Sequence, residues 1–347
     1  MNYTQLLQRA DERLFIIAEA GVNHNGDLDT ALRLVDAALE AGCDAIKFQT
    51  WITEKVYCTH RSLKPEYQAR ATDAMESEFD TIKKLELPFD AFRRIKDYCD
   101  QRGILFFSTP DELDSAKFLV ELGVPLMKTA SQDVTNTPFL RHLSGLGLPI
   151  IFSTGACSLP ELAEGVEAVS AHTQEIIILH CLSSYPAPPE QLNLSVIPGL
   201  AAMFGFSVGF SDHTTGVEAA CAAVALGARV FEKHLTLDRN MPGPDHQASL
   251  DPAAMQTYCR ALRAVHQALG DGVKRVMPCE MDARNAFGRF IVAARDLPGG
   301  SVLLESDCLF KKVVEGIAPK HLEMVVGRTL LHAVAADTPI AWHMLAH

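Results

Sequence analysis

The stretch SVGFSDHTTGVEAACAAVALGARVFEKH, residues 207–234, contains two short apolar runs on either side of a segment with helical spacing. The runs are SVGFS (207–211) and RVFEKH (229–234), and the helical segment VEAACAAVAL (217–226) stops at Gly227. A nearly continuous apolar run is typical of a parallel strand that is covered on both faces. Glycine directly after a helical pattern is a favourable end signal. The stretch therefore predicts a strand–helix–strand unit.

The same alternation recurs through the first 270 residues of the chain. The predicted strands are Leu14–Glu19, Ala45–Thr50, Ile104–Thr109, Pro125–Thr129, Pro149–Thr154, Glu175–Cys181, Ser207–Ser211 and Arg229–His234. Eight strand–helix units in about 250 residues predict an α/β fold of the (β/α)₈ (TIM) barrel type. The alternative is an open, doubly wound sheet. It normally has fewer strands and a glycine-rich phosphate loop after the first strand, which this sequence lacks.

The alternation of strand and helix patterns ends after residue 270. Residues 271–285 are polar and predict a linker between a catalytic domain, 1–270, and a second domain, 286–347. The last segment combines short strand patterns with tight turns, and about 60 residues is small for an independent fold. We expect a compact β-rich module that docks on another surface.

Bulk composition narrows the classes of function. The 347 residues carry a net charge of −12, which argues against nucleic acid or an anionic membrane as the main partner. The start of the chain lacks the basic and apolar regions of a signal peptide, and no apolar run approaches the length of a membrane span. Nine scattered cysteines without a Cys-x-x-Cys pair are typical of a reduced, cytoplasmic protein.

Ionisable side chains follow the predicted strands at their carboxyl ends, where a barrel carries its chemistry. The side-chain period of two lets Glu19, Lys47, His213 and His234 converge. Because His213 and His234 end adjacent strands about 4.8 Å apart, the pair predicts a divalent metal site. Glu232 would be a further ligand or would orient one. The alternative is a pair of rim histidines bonded to their neighbours.

Lys47 and Lys128 predict an anion site, because a buried ammonium group needs a negatively charged partner. Hydroxyl groups on the neighbouring strands, at Thr109, Ser131, Ser153 and Ser211, suit a carboxylate or a phosphate. The alternative is that each lysine pairs with a carboxylate of the protein itself.

The chain resembles the sialic acid synthase family in the ordered strings AEAGVNHNGDLDTA, AIKFQT, FFSTP, STG, LHCLSSYPAP, GFSDHT, FEKHLTLDRNMPGPDHQAS and IVAARDLPGG. The resemblance implies a metal-dependent transferase that condenses phosphoenolpyruvate with an amino-sugar-type hexose, releases phosphate and forms a nonulosonic acid. It also implies that the last domain is an antifreeze-like (SAF) module, which reaches over the partner's barrel in a domain-swapped homodimer.

Site roles follow from the resemblance at matching positions. It implies Mn²⁺ or Mg²⁺ on His213 and His234, an acid/base role for Glu19, and catalytic roles for Lys47 and Lys128. The implied phosphoenolpyruvate-binding residues are Lys47, Thr109, Lys128, Ser131, Ser153 and Ser211. The implied sugar-binding residues are Gln49, Asp133, Ser183, Tyr185, Asp245 and Lys312.

Three of the sugar-binding positions depart from the neuraminate-type pattern. Ser183 stands where the pattern has asparagine, and Asp133 stands where it has glutamate. Lys312 stands where a Lys-Arg-Pro-Gly string implies an arginine that contacts the N-acyl group, and lysine lacks arginine's planar fork. We expect an N-acetylmannosamine-type or a 2,4-diacetamido-trideoxymannose-type acceptor, in equal measure. Unacetylated mannose and a pseudaminate-type precursor rank below them.

Two other functions stay open from the sequence alone. A Schiff-base aldolase would use a strand-end lysine such as Lys128. A binding or structural protein would use its tail as an antifreeze-like surface, although a passive scaffold has no need for so many costly ionisable groups.

Overall fold

The predicted strand segments form one parallel sheet in the computed structural model, which describes residues 2–59 and 77–346. The strands are β1 Phe15–Gly21, β2 Ala45–Thr50, β3 Leu105–Pro110, β4 Met127–Thr129, β5 Ile150–Ser153, β6 Ile176–Cys181, β7 Ser207–Asp212 and β8 Val230–His234. Their hydrogen-bonded order is β3-β2-β1-β8-β7-β6-β5-β4. Because β3 and β4, at the two ends of this order, contact each other, the sheet closes into the predicted (β/α)₈ barrel.

Helices connect the strands. Their bounds are α1 Tyr3–Arg13, α2 Leu28–Ala41, α3 Thr53–Val56, α4 Glu78–Leu85, α5 Phe89–Arg102, α6 Leu113–Leu122, α7 Thr137–Ser144, α8 Leu159–Ser170, α9 Val196–Phe204, α10 Glu218–Ala225 and α11 Pro252–Leu269. Helix α2 begins where Asp27 accepts a hydrogen bond from the Thr30 amide, and it ends at Gly42, whose φ of 85° suits glycine. In the part of the chain that the structure describes, no helix combines the length and the apolar character needed to cross a bilayer.

Apolar side chains fill the interior of the barrel at the amino-terminal ends of its strands. Ile17, Phe107 and Ile151 belong to this buried layer, which also includes Leu6 and Ala10 of α1. Helix α1 therefore closes the bottom of the barrel, and burial of its apolar face is what holds it there. Since this layer fills the barrel interior at its bottom, the room for a ligand inside the barrel lies at the carboxyl ends of the strands.

A second compact unit, Asp271–His347, follows the barrel unit Met1–Gly270. It contains α12 Met281–Phe287, the antiparallel strands β9 Arg289–Ala293 and β10 Cys308–Lys312, and α13 Leu322–Val325. Buried apolar side chains that include Ile291, Leu303 and Ile340 give it a core of its own. Isolated bridges such as Leu297–Val334 make it β-rich, as expected.

The predicted linker, residues 271–285, is partly helical rather than wholly irregular. A 3₁₀ turn, Pro278–Glu280, leads directly into α12. Glu280 accepts a hydrogen bond from the Met277 amide, and proline suits the first position of such a turn. Residues 271–285 are exposed throughout, which accounts for their polar composition.

Candidate active site

A cavity of about 350 Å³ lies at the carboxyl ends of the barrel strands. It is lined by predicted site residues from all parts of the barrel, namely Glu19, Lys47, Gln49, Thr109, Lys128, Ser131, Ser153, Ser183, Tyr185, Ser211, His213, His234 and Asp245. Two predicted residues do not line it. Asp133 is buried beside it, and Lys312 lies at the end of β10 in the second unit.

Strand register explains why the charged residues meet. Glu19 pairs with Lys47 across β1 and β2, and with His234 across β1 and β8. Ser211 pairs with Glu232 across β7 and β8. Paired residues of neighbouring parallel strands point to the same face of the sheet, which here is the inside of the barrel.

Two lysines and two glutamates form a buried network at the bottom of the cavity. The Lys47 Nζ atom lies 2.7 Å from Glu19 Oε2 and donates to Thr109 Oγ1 at 3.0 Å. Glu232 lies between the two lysines, with its carboxylate oxygens 3.9 Å from Lys47 Nζ and 3.6 Å from Lys128 Nζ. The alternative pairing of each lysine with a protein carboxylate is therefore present in the structure.

Hydroxyl groups complete this network. Lys128 donates to Ser153 Oγ at 2.5 Å, and Ser211 donates to Glu232 Oε1 at 3.1 Å. The two carboxylates are the only formal negative charges within these contacts. They balance the charges of the two lysines, so the network has no net charge. An added anion would have to share the lysines with Glu19 and Glu232, and a proton taken up by Glu19 would free one positive charge for it.

The pKa values of the network differ in direction. Burial raises the pKa of Glu19; Lys47 opposes this rise and Glu232 adds to it. Burial also favours a higher pKa for Glu232, but Lys128 and Lys47 outweigh it and lower that pKa. Two carboxyl groups whose pKa values are pushed apart suit different roles, and Glu19 is the one that holds a proton more strongly.

The two imidazole rings face each other across the cavity. Their centroids are 5.4 Å apart, at an interplanar angle of 61°. The Nδ1–H group of His213 donates to the Leu182 carbonyl oxygen at 2.8 Å, which leaves the Nε2 atom for another partner. Burial, followed by the charges of His213 and Lys47, lowers the pKa of His234 well below its usual value, so its ring is neutral.

A cation would have to obtain further ligands from water or from substrate. In the described ranges, no group of three or more His, Cys, Asp and Glu side chains is arranged to hold a metal ion. The pair nevertheless fits a divalent ion, because His234 Nδ1 is buried without a hydrogen-bond partner among the residues that the structure describes. Such an unpaired nitrogen is costly in a protein interior unless something binds it. The Asp245 Oδ2 atom lies 3.9 Å from this nitrogen.

The loop after β8 is held by the loop after β1. Asn23 donates to the Leu235 carbonyl oxygen at 2.9 Å and to Ser249 Oγ at 2.8 Å. Asn25 donates to the Pro242 carbonyl oxygen at 2.9 Å, and the His246 ring bonds to Asn25 Oδ1 at 3.0 Å. These bonds keep Asp245 at the mouth of the cavity, and sequence reasoning did not predict the two asparagines.

Side chains that surround the sugar-binding positions make specific contacts. Gln49 donates to Glu19 Oε1 at 3.2 Å, and the Tyr185 ring centroid lies 4.0 Å from that of His213. Gly155 donates its amide to Ser131 Oγ at 3.0 Å. A Cβ atom on Gly155 would lie 2.2 Å from Ser183 Oγ and 2.7 Å from Ser131 Oγ, so both hydroxyl groups would have to move to admit a larger residue.

Some residues that line the cavity were not predicted from the sequence. Asp111 and Gln132 line the cavity, and so does the thiol of Cys181, which accepts from Ser131 Oγ at 3.6 Å. Burial raises the pKa of Asp111 to about 8, and Asp133 adds to the rise. Each of these residues follows a predicted site residue by one or two positions or ends a strand, which is the signal that could have identified them.

Two known protein families match most of the chain. Residues 34–274 match the NeuB family, and residues 288–346 match the SAF domain. The N,N'-diacetyllegionaminic acid synthase of Campylobacter jejuni is 38% identical over 320 residues, which cover 91% of this chain and 96% of that protein. The N-acetylneuraminate-9-phosphate synthase of Homo sapiens is 36% identical over 329 residues, covering 94% and 91% respectively.

A solved structure shows the same fold. The N-acetylneuraminic acid synthetase of Leptospira borgpetersenii, crystallised with citrate, aligns with a TM-score of 0.70 and 34% identity over 80% of this chain and 93% of that one. These matches confirm the resemblance to sialic acid synthases, the last domain included. The chain therefore belongs to the NeuB family and carries a C-terminal SAF domain.

Proposed function

We propose that this chain condenses phosphoenolpyruvate with the open-chain form of an N-acylated hexose, releasing phosphate and a nine-carbon 2-keto acid. The observation that carries the proposal is the buried Lys47–Glu19 pair at 2.7 Å beside the imidazole pair, in one cavity. Relatives named as legionaminic and neuraminate-9-phosphate synthases support the same class of reaction.

Lys47 and Lys128 hold the anionic groups of phosphoenolpyruvate in this proposal. Their ammonium groups, with the hydroxyls of Thr109, Ser153 and Ser211, line the bottom of the cavity, where donors interact strongly because water is excluded. The same donors stabilise phosphate as it leaves. Holding both substrates within bonding distance removes several kcal/mol of the barrier.

Glu19 exchanges the proton of the reaction. The methylene carbon of phosphoenolpyruvate attacks the sugar aldehyde, whose oxygen takes up a proton and becomes a hydroxyl group. Water then adds to the enol carbon and loses a proton to Glu19. The bond between this carbon and the phosphate oxygen breaks, which releases phosphate and leaves the 2-keto group. The Glu19 carboxylate suits this role because burial raises its pKa above that of an exposed glutamate. The Lys47 Nζ atom, 2.7 Å away, compensates the negative charge of the Glu19 carboxylate.

His213 and His234 would hold Mn²⁺ or Mg²⁺. When bound, such an ion supplies Lewis acidity for the aldehyde oxygen. The two rings orient the site: the His213 ring is fixed by the Leu182 carbonyl group, and the buried Nδ1 atom of His234 has no partner within the described residues. The Tyr185 ring packs against His213 and keeps water away from it.

The acceptor is an N-acetylmannosamine-type or a 2,4-diacetamido-trideoxymannose-type sugar. Gln49, Tyr185, Ser183 and Asp245 line the cavity, where hydroxyl and amide groups of such a sugar would bind. Asp133 would act from behind this wall and Lys312 from the second unit. We further propose a domain-swapped homodimer in the cytoplasm, which light scattering of the purified protein and cell fractionation test.

Mass spectrometry of products tests the proposal directly. Phosphoenolpyruvate, Mn²⁺ and a panel of N-acylated and plain hexoses are mixed with the protein, and phosphate release is followed in parallel. The expected result is equimolar phosphate and a nine-carbon acid with one or both N-acylated mannose types. Absence of both products across the panel would contradict the proposal.

A Schiff-base aldolase is the second candidate, because burial lowers the pKa of Lys128 and so favours its nucleophilic form. Borohydride reduction in the presence of substrates separates the two functions. The proposed condensation forms no imine, so the mass of the protein stays unchanged. A covalent adduct on Lys128 would favour the aldolase.

A further inference from the structure

A buried ion pair lies directly behind the two histidines, on the helix-facing side of the sheet. The Lys233 Nζ atom is 3.0 Å from Asp212 Oδ2, and both side chains are 0% exposed. Asp212 and Lys233 are opposite each other in the β7–β8 ladder, one position after Ser211 and Glu232. Since side chains alternate between faces, Ser211 and Glu232 point into the cavity and the ion pair points away from it.

The ion pair holds the backbone next to His213. The Asp212 Oδ1 atom accepts from the Thr214 amide at 2.8 Å and from the Thr214 hydroxyl at 2.7 Å. Lys233 donates to the Thr214 carbonyl oxygen. Both polar backbone groups of the residue after His213 are therefore bound by the pair, and one member of the pair precedes His213 itself.

The same pair is attached to His234 through the chain, because Lys233 is its immediate neighbour in β8. On the other side, Tyr258 of α11 covers the ammonium group, with its ring centroid 5.5 Å from Lys233 Nζ. The Asp212–Lys233 pair thus connects the ends of β7 and β8 and the helix behind them. The separation of the two imidazole rings depends on where these two strand ends lie.

Stability alone does not explain these charges. Taking two ions out of water is costly, and apolar or neutral replacements of a buried pair are often as stable as the pair or more so. A buried pair is useful where it fixes one arrangement among several. Here the groups that it fixes are the backbone atoms on either side of His213 and the residue before His234.

We propose that Asp212 and Lys233 are positioning residues, which set the orientation of His213 and its distance from His234 so that both rings bind one divalent cation. The inference rests on the proposed function, since it assigns the pair a task in the metal site. Outer groups that orient metal ligands typically change metal affinity or activity 10–100-fold when they are replaced.

The test compares three variants with the full-length wild type. D212N/K233M removes both charges together, and the asparagine side chain keeps an oxygen that accepts from the Thr214 amide. K233M alone leaves the Asp212 charge buried without its partner. Leu262→Ala is the matched control, because Leu262 is 0% exposed on the same helix as Tyr258 and its apolar side chain can form neither a hydrogen bond nor an ion pair with Asp212 or Lys233.

Thermal unfolding, Mn²⁺ titration by electron paramagnetic resonance and phosphoenolpyruvate binding without metal are measured for each. We expect D212N/K233M to unfold within about 5 °C of wild type, to bind Mn²⁺ about 10-fold or more weakly, and to bind phosphoenolpyruvate as before. K233M should lose about 10 °C or more as well as Mn²⁺ affinity. L262A should lose about 10 °C and keep its Mn²⁺ affinity.

The outcomes separate this inference from the proposed function. If wild type binds one Mn²⁺ per chain and D212N/K233M binds it equally well, the positioning role is wrong while the metal site stands. Loss of Mn²⁺ affinity in L262A to the same extent would show that instability alone weakens the site, and would also overturn the inference. If wild type binds no Mn²⁺, the metal assignment and the inference fail together.

Discussion

Replacing Glu19 with glutamine removes one carboxylate from the buried network and keeps its shape. Glu19 is 1% exposed and lies 2.7 Å from Lys47 Nζ, so the substitution leaves Glu232 alone to neutralise two lysines. The network then carries one unit of surplus positive charge. At about 5 Å and an effective dielectric constant near 20, that charge attracts a bound anion by roughly 3 kcal/mol.

We therefore expect E19Q to bind phosphoenolpyruvate at least as tightly as wild type, with a gain of up to about two orders of magnitude. Turnover should fall about 10²- to 10⁴-fold, because the group that accepts the proton of the attacking water is gone. That loss corresponds to roughly 3–5 kcal/mol in the barrier. Opposite effects on binding and on kcat are the signature of this role.

Calorimetry of phosphoenolpyruvate binding and a phosphate-release assay measure the two quantities. Glu164→Gln serves as the control, since Glu164 is exposed on the outside of the barrel and its loss changes the net charge equally. E164Q should resemble wild type in both assays. Weaker phosphoenolpyruvate binding in E19Q with an unchanged kcat would refute the reasoning, because Glu19 would then be a binding residue rather than the proton acceptor.

Three further predictions follow from other parts of the barrel. Gly155→Ala places a Cβ atom 2.2 Å from Ser183 Oγ and should lower kcat/KM about 10- to 100-fold with little change in Tm. Unaltered kinetics would show that the Ser183 side chain moves aside without cost. Burial raises the pKa of Asp133 to about 6, above its value in the unfolded chain. The free energy of unfolding therefore falls as pH rises from about 4 to 6, and ionised Asp133 lowers it by about 3 kcal/mol at pH 7. Asp133→Asn should therefore raise Tm at pH 8 much more than at pH 4, and an equal effect at both would contradict this. Asp44→Asn weakens ion pairs with Arg9 and Arg263, which are partly exposed, and should cost about 2 kcal/mol in urea unfolding while phosphoenolpyruvate binding stays unchanged.

The barrel could be predicted because its strands are buried on both faces and therefore leave apolar runs in the sequence. The bounds of β2 agree with the predicted bounds, while the other seven strands differ by one or two residues at one or both ends. Strand ends are the least certain part of such a pattern, because polar site residues interrupt the apolar run there. Helix α1 carried no strong pattern, since only Leu6 and Ala10 of its residues are buried.

The site could be predicted where strand period and register decide the outcome. Glu19, Lys47, His213 and His234 share an inward face, and the period of two is enough to show it. Contacts between distant loops follow no such period. The bonds from Asn23 and Asn25 to the loop after β8 join residues more than 200 positions apart, and nothing in the local sequence indicates them.

The pairing of Asp212 with Lys233 could not be predicted from the sequence. Both residues stand next to predicted metal ligands, and an alternating pattern places them on the face that helices cover. A charged residue at such a position looks unfavourable from the sequence, and only the register of β7 with β8 shows that each charge has its partner. Pairing between residues far apart in the sequence compensates the cost of burying each charge, and a local sequence pattern does not indicate it.

Pulsed electron paramagnetic resonance of Mn²⁺ added to protein with ¹⁵N-labelled histidine addresses the metal site most directly. The predicted spectrum shows two imidazole nitrogens bonded to one ion in wild type. One should remain in His213→Ala and one in His234→Ala, each with its fold retained by circular dichroism. Manganese that binds without any directly bonded histidine nitrogen would contradict the account.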